Sequence, residues 1–134
     1  MLGDHIGDTE GQETGRRVLD AGDGHVTVEV SFRGSGSYFG IEVQGIGTYE
    51  SELRPDGSLY GEGQGVDMTA DGQSVTWHGA GVGHFTENGG TSFRGSLFFS
   101  TTAPQLERLN GVAGLFEFDT DAEGKSTGKL YEWK

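Results

Sequence analysis

Gly61-Glu62-Gly63-Gln64-Gly65 and Gly79-Ala80-Gly81-Val82-Gly83 place glycine at every second position of two neighbouring stretches, with Asp71-Gly72 between them. Side chains alternate between the faces of a strand, so each glycine row occupies a single face. Glycine inside a strand gives up packing and costs backbone entropy, and it marks sharp bending or a close approach. Two such strands joined by a tight turn describe a strongly coiled sheet that closes on itself. That is a small antiparallel β-barrel.

The flanking sequence agrees. Residues 25–32 alternate, with Val26, Val28, Val30 and Phe32 on one face and Thr27, Glu29 and Ser31 on the other, as in a half-buried strand. Gly34-Ser35-Gly36-Ser37 reads as a turn into a long strand over 38–53, which begins with Phe39, Ile41 and Val43 on one face. Arg54-Pro55-Asp56-Gly57 suits a type I turn with glycine in the left-handed position. Further strands are expected near 58–70, 73–86, 91–101, 112–119 and 126–133, with Asn88-Gly89 and an acidic 121–124 segment as turns. Pro104, Leu106 and Leu109 point to one short helical turn that plugs a barrel end. A short strand at 16–20 completes an all-β, closed eight-stranded antiparallel up-and-down barrel, calycin-like, in preference to a sandwich. Residues 1–14 are polar and acidic without periodicity and are expected to form a loose N-terminal arm, leaving 15–134 as the single barrel domain.

Register decides what faces inward. Taking Asp71-Gly72 as a two-residue hairpin loop pairs Met68 with Val75, Val66 with Trp77, Gln64 with Gly79, Glu62 with Gly81 and Tyr60 with Gly83. The face gathering Met68, Val66, Val75, Trp77, Phe85, Phe93, Leu97 and Phe99 is then the interior, and Glu62 and Gln64 point inward over a floor of glycines. Pairing across the 54–57 turn conflicts with this unless a β-bulge at Gly45 or Gly47 flips the later part of that strand. Without the bulge the glycine face is the interior and His78 and His84 point in. The bulged arrangement is the one expected, and it makes Glu62 the candidate acid or base, since a carboxylate in an apolar barrel has a raised pKa unless paired. Gln64, Tyr60, Tyr49, Trp77, Phe99, Gly79 and Gly81 would form the rest of the binding surface.

Composition narrows the partners. The chain has 134 residues, 9 Lys+Arg against 21 Asp+Glu and a net charge of −12, which opposes binding to nucleic acid or an anionic membrane. Such a surface also suits high salt, where screening weakens the repulsion among carboxylates. There is no cysteine, hence no disulfide and no thiolate metal site. The four histidines are scattered, and Asp119-Thr120-Asp121-Ala122-Glu123-Gly124 has Leu130 where a calcium loop needs a bidentate glutamate. No metal or cofactor is expected. The start Met1-Leu2-Gly3-Asp4-His5 lacks the basic and apolar regions of a signal peptide, so a cytoplasmic location is expected.

The glycine-rich strands, with Leu109-Asn110-Gly111-Val112-Ala113-Gly114 before a hairpin containing Phe116, resemble allene oxide cyclase and dirigent-type barrels over about residues 58–120. The chain also resembles a group of small uncharacterised prokaryotic proteins. The resemblance implies a cavity for an apolar, oxygenated small molecule, cofactor-free chemistry in some members, and homo-oligomers. No residue role is carried over from it. The function expected is small-molecule binding inside the barrel. The alternatives are a cofactor-independent isomerase or cyclase using Glu62, and a structural barrel with a filled core.

Overall fold

A single five-residue turn recurs at four corners of the molecule and sets its register. At the corner between the glycine strands, Thr69 N donates to Gln73 O at 2.9 Å and Gly72 N to Thr69 O at 3.1 Å. Gly72 takes φ +83, a backbone conformation that side chains disfavour. The loop is therefore Ala70-Asp71-Gly72, three residues rather than two. The same pair of hydrogen bonds closes the turns at 54–58, 86–90 and 121–125, each with glycine in its fourth position. At the last of these the Asp121 carboxylate also accepts from the backbone N–H of Glu123 and Lys125, the role of the acidic segment that half-matched a calcium loop.

The structure is a computed structural model and describes residues 2–134. Eight antiparallel strands form a closed barrel in chain order: β1 Leu2–Asp20, β2 Val26–Tyr38, β3 Ile41–Leu53, β4 Leu59–Thr69, β5 Ser74–Phe85, β6 Thr91–Thr101, β7 Gly114–Thr120 and β8 Lys125–Trp133. The expected up-and-down barrel is the fold. The N-terminal stretch is not a loose arm, however. β1 pairs with β2 on one side and β8 on the other and so closes the cylinder; Met1 lies outside the described residues. Its polar sequence concealed this because glycines stand at the inward positions Gly7 and Gly11.

Strand β2 runs on through Gly34–Ser37, and the chain reverses at Phe39-Gly40 instead, with φ +50 and +79. β3 pairs without interruption through Gly45 and Gly47, so the expected bulge is absent. Register shifts occur in β1, between Glu13 and Gly15 and between Val18 and Asp20.

The hydrophobic core lies at one end. The 3-10 helix Pro104–Gly111 buries Leu106 and Leu109 completely against Ile6, Tyr38, Val43, Val75, Phe99 and Leu130. Each leucine contributes about 1.5–3 kcal/mol by leaving water. The helix plugs the end that the sequence assigned to it. The turns at 54–58, 86–90 and 121–125 ring the opposite end. No helix among the described residues is long and apolar enough to cross a membrane.

Candidate functional site

With three-residue turns, Gly61 pairs with Gly81 and Gly63 with Gly79. Both glycine rows share one face, and it is the inner one. Large side chains from neighbouring strands lie across them. Trp77 lies over Gly65 and Gly47, Phe93 over Gly83 and Gly61, and Leu97 over Gly79; a Cβ at any of these glycines would crowd the overlying side chain. Tyr49 backs onto Gly63 in the same way. The glycines seat the rings rather than merely leaving space.

The rings form one cluster. Phe32 lies 6.0 Å from Tyr49, 6.3 Å from Trp77 and 5.7 Å from Phe118 between centroids, and Tyr49 meets Phe93 and Phe118, each at 5.9 Å. Facing them is a wall of small residues from β1, β2 and β8, made by Gly11, Gly34, Gly36, Ser126 and Gly128. Between the ring wall and the glycine wall is a largely apolar cavity of about 140 Å³.

Two polar groupings flank it. Towards the plugged end, Tyr38 Oη donates to Asp67 Oδ2 at 2.5 Å. Burial pushes the Asp67 carboxyl above its ordinary value, partly offset by that hydrogen bond. Burial, and then the Asp67 charge, hold Tyr38 well above the usual phenol range. Towards the other end, the bulge at Thr14 lets Glu13 and Arg16 meet, with Arg16 Nε and Nη2 donating to the two Glu13 oxygens at 2.6 and 2.8 Å. Tyr49 beside them is pushed up to about 12, by burial first and then by the Glu13 charge, with Arg16 opposing.

The expected site residues divide cleanly. Trp77, Tyr49, Gly79 and Gly81 line the cavity. Phe99 is buried deeper, in the plug core, edge-on to Tyr38 at 5.4 Å. Glu62, Gln64 and Tyr60 alternate with inward glycines and so project outside, where Tyr60 Oη donates to Glu62 Oε1 at 2.7 Å and Arg54 covers the Tyr60 ring at 4.7 Å. Glu62 is thus no cavity acid or base. The one-residue difference in the 69–73 turn moved its whole strand face. Met68 and Val66 leave the interior with it, Met68 being 48% exposed. His78 and His84 also lie exposed on the outside. Two inward carboxylates flank the cavity, Asp67 and Glu13, and neither is among the expected site residues. Correct turn counting would have found Asp67, which continues the row Gly61, Gly63, Gly65. Among the described residues no three His, Asp or Glu side chains converge as metal ligands.

No family model matches the chain and no curated protein is similar to it. Solved structures are. A conserved protein of unknown function from Rhodopseudomonas palustris has a TM-score of 0.82 at 16% identity, over 98% of this chain and 97% of its own. A β-barrel-like protein from Acinetobacter baumannii has a TM-score of 0.79 at 13% identity, over 100% and 96%. A structure described as an enzyme from Penicillium herquei has a TM-score of 0.70 at 13% identity, over 98% and 94%. These likenesses show a small β-barrel and carry nothing of the cyclase resemblance. The chain has the fold of these small closed eight-stranded barrels.

Proposed function

We propose that this protein binds a small apolar molecule in the barrel interior. One observation supports this most: the cavity between the ring wall and the glycine wall is walled almost wholly by apolar atoms, and no side chain among the described residues fills it. Protein interiors ordinarily leave few voids larger than a water molecule. Apolar cavities of about 150 Å³ stay dry and accept benzene, so the ligand is about one ring in size. That space weighs against a structural barrel with a filled core. A cyclase or isomerase of the allene oxide cyclase kind would take its acid or base from Asp67, since Glu62 projects outside and both Glu13 oxygens are held by Arg16.

The test is thermal unfolding with and without saturating benzene. Binding to the folded state alone raises the midpoint by mass action. The control is Thr9→Phe. Thr9 lines the cavity and faces Gly36 on one side and Gly128 on the other, so a ring there has the same glycine seat as the native rings. The expected result is a benzene-dependent rise that Thr9→Phe abolishes. No rise in the parent protein contradicts the reading.

A further inference from the structure

We propose that Asp67 is the recognition group of the cavity and that the ligand class is a neutral, single-ring molecule bearing a hydroxyl. This rests on the cavity being a ligand site and names what that site selects.

Asp67 points inward from β4, next along the row from Gly65 and opposite Gly45 on β3. Its two oxygens are in different circumstances. Oδ2 accepts the Tyr38 phenol at 2.5 Å. Oδ1 stands over Gly45, where any Cβ would collide with it. Glycine at 45 therefore makes room for the carboxylate, and Tyr38, Gly45 and Asp67 all line the cavity. Tyr38 fixes the group's orientation and leaves Oδ1 for a ligand. Of the neighbouring cavity walls, Val43 is apolar and the Trp77 indole N–H can only donate, so neither offers a ligand hydroxyl an acceptor in place of Asp67.

Hydrogen-bonding chemistry then selects the partner. An ionised Asp67 accepts from a hydroxyl, and a protonated one donates to it, so a hydroxyl pairs with either form. An anionic ligand would meet the carboxylate's own charge. An ammonium would need Asp67 ionised in surroundings where burial favours its neutral form, and both charges would lose their hydration. A hydrocarbon of the same shape leaves Oδ1 without a partner once water is displaced, which costs affinity. The cavity volume of about 140 Å³ limits the remainder of the ligand to one ring.

Calorimetric titration with phenol, benzene and benzylamine tests this at neutral pH, where benzylamine is a cation. Phenol is expected to bind at least tenfold more tightly than benzene. In the double variant Asp67→Val/Tyr38→Phe both hydrogen-bonding partners become apolar, a change that folding tolerates better than loss of one partner. There phenol is expected to fall to within threefold of benzene, with benzene retained. Tyr38→Phe alone keeps Oδ1 and is expected to keep the preference. Equal binding of phenol and benzene by the parent protein overturns the Asp67 assignment and leaves the ligand cavity standing. Benzylamine as the tightest of the three overturns the hydroxyl class. Failure of all three to bind overturns the cavity reading and this proposal together.

Discussion

Trp77 lies flat across Gly65, its register partner on the adjacent strand, so that a Cβ at Gly65 would fall 2.5 Å from the ring atoms Cζ2 and Nε1. The indole can therefore reach this depth only because its partner has no side chain. Gly65→Ala is expected to push the ring off its seat and destabilise the fold by about 1–3 kcal/mol, as overpacked cores do. A double-mutant cycle with Trp77→Leu checks the cause. The two changes should couple by about 1 kcal/mol or more, the alanine costing little once the indole is gone. Additive effects would mean that Gly65 serves some other need.

The plug makes a separate prediction. Leu106 is fully buried among side chains from six of the strands. Leu106→Ala is expected to cost about 2–5 kcal/mol in denaturant unfolding. A loss below about 1 kcal/mol would mean that the helix is not part of the cooperative core.

Buried phenols predict alkaline sensitivity. Tyr38 and Tyr49 have folded pKa values raised above 10, that of Tyr49 to about 12. Between pH 10 and the folded values the unfolded chain releases these protons and the folded chain keeps them. Stability is then present below pH 10 and lost as pH rises, by up to about 1.4 kcal/mol per pH unit for each group. Urea unfolding at pH 9 to 11.5 should show the decline, and Tyr49→Phe should reduce its slope. An unchanged slope would contradict the assignment.

Most of the fold was legible in the sequence because hairpin barrels advertise themselves twice, through alternation and through glycine turns. Residues 26–32, 91–101 and the Pro104–Leu109 plug announced themselves in this way. The site was less legible. Asp71-Gly72 belongs equally well to a two-residue or a three-residue loop, and only backbone hydrogen bonding separates the two. That one residue sends Glu62 and Gln64 outside and brings Asp67 in. The part of β1 before residue 15 was missed for a different reason: beyond Ile6 its inward positions are Gly7, Thr9, Gly11 and Glu13, so a strand closing the barrel lacks an apolar row. Its polar appearance is what a cavity wall made of small residues looks like in sequence.

Turned outward, Glu62 takes part in a charge row. Glu29, Glu50 and Glu62 are direct register partners on three adjacent strands, and Arg17 approaches only Glu29, at 3.3 Å. Like charges placed opposite each other across strands destabilise a sheet. Chloride salts are expected to raise the unfolding midpoint, most steeply below a few tenths molar, as the screening length falls from about 30 Å at 0.01 M to about 3 Å at 1 M. Glu50→Gln should raise the low-salt midpoint and flatten the dependence. A midpoint that stays level or falls with salt would remove the case for adaptation to high salt.

A ligand inside the barrel is distinguishable from one resting in the open groove on its outside, which Tyr60, Val82 and Leu115 line. Trp77 lines the cavity, whereas the Val82 methyl groups face the groove and are exposed. Benzene titration followed through the Trp77 indole N–H and the Val82 methyl resonances separates the two sites. A saturating shift of the Trp77 signal with Val82 unmoved is expected. A titration that leaves Trp77 in place, whether or not Val82 moves, contradicts binding inside the barrel.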